Sequence, residues 1–314
     1  MKLSLVVPCY NEEGNVEKFL NEVNRIFEGK VEDYEIVFVN DGSTDGTYKK
    51  LKALYDLNDN IQTLSFSRNF GKEAAIYAGL SKAKGDLVCL IDADLQQRPE
   101  VVLEMLDTMA ADEQTDCVTA YQEKRKENKI ISGIKSAFYK LINKISDVDF
   151  VNGASDFRLM KRSMVDAILS MTEFHRFSKG IFSYVGFNTK YIPYTAEQRE
   201  SGKTKWSVGK LFKYALDGIF GFSTMPLKIS TFIGFLSSVA SIIYLIVVVI
   251  QKLAFGIAVP GYATLVVLIL LIGGIQLFCL GILGEYIARM YVQTKQRPVY
   301  ILKEHLSHAD EKNN

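Results

Sequence analysis

The sequence predicts an α/β domain built on a mainly parallel sheet, followed by two membrane-spanning helices. Three observations carry this expectation. Apolar runs of strand length alternate with helical patterns from Leu3 to about Ala120. A polar cluster follows each of the first four runs. Nearer the C-terminus, residues 229–250 and 262–284 contain no charged side chain, and each stretch exceeds the roughly 20 residues that span a bilayer as a helix.

Taken in order, the elements are "LSLVVP", a helix from about Asn15 to Phe27, "YEIVFVN", a helix after Gly46, "IQTLSF", a helix after Gly71, "DLVCLID", a helix after Pro99, and "DCVTA". Such alternation implies a parallel sheet covered by helices on both faces. In open sheets of this kind ligands bind beyond the C-terminal strand ends. "PCYNEEGN", "NDGSTDGT", "SRNFGK" and "DADLQ" therefore fall on one rim. Read as the end of a strand, Asp92 and Asp94 share a face, and two carboxylates so crowded call for a cation between them.

The two apolar stretches read as transmembrane helices, because "IIYLIVVVI" keeps no polar face. Lys210, Lys213 and Lys228 precede the first, and Arg289, Lys295, Arg297 and Lys303 follow the second. By the positive-inside rule both the large N-terminal part and the tail are cytoplasmic. The expected division is a catalytic domain over 1–207, a juxtamembrane amphipathic segment over 208–228, a two-helix membrane domain over 229–290 and a tail over 291–314. No cleaved targeting segment is expected at "MKLSLVVPCYNEE".

Composition narrows the function classes. With 37 basic and 36 acidic residues the net charge is +1, so the chain lacks the basic field of a nucleic-acid binder. Cys9, Cys89, Cys117 and Cys279 have no metal-ligand spacing and read as reduced packing residues. Over residues 129–146 an isoleucine-rich face opposes Lys129, Lys135, Lys140 and Lys144, the pattern of a helix lying in the headgroup layer of an anionic membrane. Residues 208–223 form a second such candidate.

The ordered motifs "VVPCYNEEGNV", "VNDGSTDGT", "RNFGKEAAIYAGL", "GDLVCLIDADLQ", "GASDFRLM" and "RESGKTKWSVGKL", followed by two spans, resemble the family 2 glycosyltransferases of GT-A fold. More narrowly, the chain resembles the polyprenyl-phosphate glycosyltransferases related to dolichol-phosphate mannose synthase and the GtrB-type enzymes. The resemblance implies inverting, metal-dependent transfer of a hexose from a UDP-sugar, with glucose or N-acetylglucosamine favoured, to a polyprenyl (undecaprenyl) phosphate. It places Pro8, Tyr10, Asn11, Glu12, Asp41, Lys72, Asp92, Arg199 and Lys203 around the nucleotide sugar. It also implies Asp92, Asp94 and Gln96 as ligands of Mg²⁺ or Mn²⁺, Asp156 and Asp94 as catalytic groups, and Arg176 and Lys179 at the acceptor phosphate. The loop 198–206 is expected to act as a lid over the diphosphate. The implied partners are a UDP-sugar, a polyprenyl phosphate and the bilayer, with self-association left open.

One departure stands out: after "DADLQ" the family usually continues with Asp or His and two prolines, and here Gln97-Arg98-Pro99 follows. Two other functions compete. A processive polysaccharide synthase would carry a "QxxRW" signature and more membrane structure, and a nucleotide-sensing membrane protein would not need Asp94 and Asp156 intact.

Overall fold

The structure, a computed structural model, describes residues 1–122, 143, 154–195, 218–255 and 261–308. The predicted interfacial helix over 129–146, the loop 198–206 with Arg199 and Lys203, and residues 208–217 lie outside the described residues, apart from residue 143.

Among the described residues, strands β1 (Leu3–Cys9), β2 (Tyr34–Asn40), β3 (Ile61–Phe66), β4 (Leu87–Leu90), β5 (Cys117–Gln122), β6 (Ala154–Lys161), β7 (Thr189–Tyr194) and β8 (Leu302–Leu306) form one sheet. Its order is β7-β5-β6-β4-β1-β2-β3-β8. The β4-β1-β2-β3 centre is parallel, as the alternation predicts, while β6 runs antiparallel to both β4 and β5.

The strand runs are apolar on both sides because the sheet is buried on both. Leu87, Cys89 and Ile91 belong to the core beneath α1 (Val16–Phe27), α2 (Thr47–Leu57) and α4 (Glu100–Ala110). Val88 and Leu90 belong to the opposite core, shared with α3 (Lys72–Lys82), α5 (Arg162–Ser170) and α6 (Ser178–Tyr184). Pro8 is tolerated inside β1 because β4 pairs with Leu3–Val6 and stops before the level of Pro8, so the missing N–H breaks no ladder bond there.

Two helices, α7 (Met225–Phe255) and α8 (Tyr262–Thr294), form the C-terminal hairpin and run longer than the uncharged stretches. Both are long and apolar enough to cross a membrane, with mean hydropathy of 2.6 and 2.8. Their outward side chains include Phe232, Leu245, Leu270 and Leu277, each more than half exposed. Bare apolar surface of this extent belongs against lipid.

The sequence left residues 291–314 as a tail, and here the structure differs. After α8 the chain returns to the domain, where β8 pairs antiparallel with β3. Tyr300 stacks on Phe66 with ring centroids 5.0 Å apart, and the Tyr48 hydroxyl hydrogen-bonds the Glu304 carboxylate. Both ends of the hairpin therefore lie on the domain's side of any membrane it crosses. All four cysteines are free thiols, with Cys9, Cys89 and Cys117 buried.

Candidate active site

The first two loops on the rim are tied to each other. Asn11, at φ +56°, offers its side-chain oxygen to the Thr44 N–H at 2.9 Å, and its own N–H donates to Ser43 Oγ at 3.0 Å. The Glu12 N–H reaches Thr47 Oγ1 at 2.8 Å, and Glu13 receives the Gly46 N–H at 3.0 Å. Tyr10 stands 38% exposed above this brace. Loops cross-linked in this way hold an open surface rigid without covering it.

Asp41 anchors the third loop. Its buried carboxylate accepts the N–H groups of Phe70 at 2.7 Å and Gly71 at 3.0 Å and the Asn69 amide at 2.9 Å. Burial raises its pKa, and those backbone donors oppose the rise. Gly42 next to it, at φ +60°, packs so tightly that a Cβ would stand 2.3 Å from the Arg68 carbonyl carbon. Only glycine combines that φ with that approach. Asp41 was expected beside the nucleotide; its carboxylate is turned into the Asn69–Gly71 turn, where it sets the start of α3 and so the place of Lys72.

"DADLQ" lies on a turn, which corrects the strand-end argument. β4 ends at Leu90, and Leu95 at φ +57° bends the chain sharply. The placement of Asp94 relative to Asp92 is therefore set by that turn, not by strand alternation. The Gln96 N–H donates to Asp94 Oδ1 at 3.2 Å. Asp92 follows Val88 and Leu90 in parity toward the α3 side of the sheet, where Lys72 Nζ meets its Oδ1 at 2.7 Å.

The same ammonium lies 3.2 Å from Asp156 Oδ2. The fold explains the meeting: β4 and β6 pair Leu90 with Arg158, and Asp92 and Asp156 each lie two residues beyond that last pair. Burial pulls the Lys72 pKa down, and the two carboxylates outweigh it and leave the pKa raised. Burial likewise pushes Asp156 up, and Lys72, Lys179 and Arg158 more than reverse that, holding its carboxyl below the usual range. Asp156 is therefore a carboxylate throughout the neutral range.

Glu73, beside Lys72, ties α3 to α6. It accepts the Ser178 N–H at 2.8 Å and the Ser178 hydroxyl. Burial and the Asp156 charge push its pKa up to about 7. Lys179 follows on α6, close enough to bias Asp156. Arg176 is used differently from the expectation: it is buried, its guanidinium donates to the carbonyls of Met171 and Ile168, and it stacks on Tyr77 at 4.3 Å. That is the geometry of a group closing the C-terminal end of α5.

The hairpin reaches this region too. Gln293, in the last turn of α8, accepts the Phe174 N–H at 2.8 Å and donates to the Thr172 carbonyl at 3.1 Å. A Cβ at Gly180 would stand 2.3 Å from the Phe222 ring, so glycine lets the segment entering α7 lie directly on α6.

The description "Glycosyl transferase family 2" matches residues 4–169, more than half of the chain. The chain belongs to glycosyltransferase family 2. Its hairpin matches the GtrB C-terminal hairpin over residues 225–290. A prophage bactoprenol glucosyl transferase homolog of Escherichia coli (strain K12) is 43% identical over 304 residues, covering 96% of this chain and 99% of that protein. The putative glycosyltransferase CsbB of Bacillus subtilis (strain 168) is 41% identical, covering 96% and 91%. Among solved structures, glucosyl-3-phosphoglycerate synthase from Mycobacterium tuberculosis, crystallised with Mn²⁺, UDP and phosphoglyceric acid, superposes with a TM-score of 0.50 at 16% identity, over 70% of this chain and 76% of that one. That likeness is one of fold, and the fold is GT-A.

Within this glycosyltransferase the structure brings Lys72, Asp92 and Asp156 together and sets Asp94 and Gln96 on the adjoining turn. Pro8 lies near the end of β1 and Tyr10, Asn11 and Glu12 in the first loop, Asp41 and Arg176 bond chiefly to backbone groups, and Arg199 and Lys203 lie outside the described residues. Sequence reasoning missed Glu73 and Gln97. Glu73 stands beside Lys72 in a quoted motif, and Gln97 is the departure from the family pattern, so both signals were visible without their partners.

Proposed function

We propose that this glycosyltransferase moves a hexose, with inversion, from a UDP-sugar to a polyprenyl phosphate at the cytoplasmic face of the membrane. The observation that carries the reading is the convergence of Asp92, Lys72 and Asp156 at the C-terminal rim of the parallel strands, beside a turn bearing Asp94 and Gln96. The bactoprenol glucosyl transferase of Shigella phage SfV and the prophage bactoprenol glucosyl transferase homolog of Escherichia coli support the acceptor class.

The turn suits Mg²⁺ or Mn²⁺. Among the described residues no three His, Cys, Asp or Glu side chains form a ready-made metal cage. Such ions are held through one or two carboxylates plus substrate phosphates, which is what Asp92, Asp94 and Gln96 offer. The Lys72 ammonium on Asp92 Oδ1 marks that oxygen as a place for positive charge. A divalent ion bound there neutralises the donor diphosphate and stabilises it as leaving group.

The chain's own groups do the rest. The braced first and second loops receive the nucleotide. An acceptor phosphate, with a second pKa of about 6, is mostly dianionic at neutral pH and attacks without help from a base. Asp156, held ionised by its cationic neighbours, is a poor proton acceptor, and it serves to orient groups and to stabilise positive charge developing on the sugar. Lys179 faces this region from α6 and receives the acceptor phosphate. The grip of Gln293 on residues 172–174 couples the membrane hairpin to that side of the site.

The test is direct. Purified protein is incubated with a panel of UDP- and GDP-sugars, undecaprenyl phosphate and Mn²⁺ or Mg²⁺, and the lipid product is weighed by mass spectrometry. A lipid heavier by one hexose, formed with UDP release and abolished by chelation, is expected. Nucleotide-sugar turnover with no glycolipid in any combination would overturn the acceptor assignment.

A further inference from the structure

Gln97 bonds to one neighbour at both ends of its amide. Its Oε1 accepts the Asp92 N–H at 2.8 Å, and its Nε2 donates to Asp92 Oδ2 at 3.1 Å. The side chain is buried, with the residue 6% exposed. Asp92 Oδ1, the other carboxylate oxygen, is the one that meets Lys72. We propose that Gln97 is a positioning residue that locks Asp92 in the single rotamer presenting Oδ1 to the divalent ion and donor diphosphate. The inference rests on the metal-dependent reading given above.

Chemistry explains the residue type. The Asp92 main-chain N–H needs an acceptor and Asp92 Oδ2 needs a donor, and a side-chain amide supplies both from one group. The same pair of needs also determines which end of the amide carries oxygen. A carboxylate at 97 offers acceptors only and sets like charge against Oδ2. An apolar side chain leaves the Asp92 N–H without its partner in a buried place. The bend at Leu95 brings position 97 back under position 92, which makes a five-residue reach feasible.

The arrangement has a consequence for the ion. Gln97 holds Oδ2 on its own side while Oδ1, whose second lone pair stays open beside Lys72, faces the site, and coordination through that one oxygen favours the compact octahedral shell of Mg²⁺ or Mn²⁺ over the bidentate carboxylates common around Ca²⁺. Hydrogen bonds that orient a ligating side chain are typically worth about 10- to 100-fold in metal affinity.

The experiment measures Mn²⁺ binding to the full-length protein in detergent with UDP present, by the loss of the free-ion EPR signal. Gln97→Met, similar in length but with neither bond, should weaken Mn²⁺ about 10- to 100-fold. The apparent KM for Mn²⁺ should rise more than kcat at saturating Mn²⁺ falls. Gln97→Leu serves the same purpose if the methionine variant does not fold. Wild-type Mn²⁺ affinity in a folded Gln97 variant, alongside an Asp92→Asn protein that has lost binding, overturns this proposal alone. Wild-type affinity in Asp92→Asn removes the metal reading and the proposal with it.

Discussion

Lys72 Nζ lies 2.7 Å from Asp92 Oδ1, so a residue at the start of a helix holds the carboxylate that ends the central strand's rim. Lys72 also contacts Asp156, and removing its charge leaves two carboxylates facing each other across the site. Lys72→Met is expected to lower kcat/KM about 100-fold or more, the usual scale for losing one preorganised charge. Lys72→Arg should recover part of that loss. Wild-type kinetics in Lys72→Met would remove the residue from the chemistry.

Because Asp156 is held below the usual carboxylate range, its ionisation should leave no mark on the rate at pH 5.5 to 8. The acidic limb of kcat/KM should instead follow the acceptor phosphate near pH 6. Asp156→Asn should reduce kcat about 100-fold or more without moving that limb. A limb that disappears in Asp156→Asn would instead make Asp156 the group whose ionisation the rate follows, that is, a general base.

Glu73 gives a pH effect of opposite sign. Its folded pKa of about 7 lies above its ordinary 4.5, so the folded state favours the protonated form. The stability this contributes is complete below about pH 4.5 and is lost as pH rises through 7, by up to about 3 kcal/mol. Glu73→Gln keeps an oxygen for the Ser178 donors and removes the titration. Thermal midpoints followed from pH 4.5 to 8 should therefore fall for the wild type and less steeply for Glu73→Gln.

Arg176 and Lys179 should separate cleanly. Arg176→Ala strips the α5 carbonyls of their donor and Tyr77 of its stacked guanidinium, and a loss of about 2 kcal/mol in stability is expected. Lys179→Ala should leave stability within about 0.5 kcal/mol and raise the KM for the lipid phosphate. Denaturation curves and acceptor titrations on both variants check the split.

The returning strand is a structural requirement. Tyr300→Ala removes the stack on Phe66 and should cost about 1–2 kcal/mol. Truncation before residue 299 would bare the β3 edge and is expected to raise aggregation, seen by size exclusion in detergent.

Much of the architecture was legible along the chain. Strand runs such as 36–39 and 87–90 are apolar at every position because both faces of the sheet are buried, and the polar clusters follow because ligand-binding loops must stay wet. The hairpin was legible for the same reason in reverse, since lipid leaves no polar face. These are local properties, set by what each residue does in water or lipid. Distant partnerships needed the fold. Asp156 meets Lys72 only because β6 runs antiparallel to β4 in one particular register, and residues 302–306 join the sheet only because β3 has a bare edge beside them. Asp41 and Arg176 read as ligand contacts from their motifs, and only the fold shows the backbone groups of residues 70–71 and of Ile168 and Met171 that they bond. A charged side chain goes to whichever buried partner lies within reach, and reach is decided by tertiary packing.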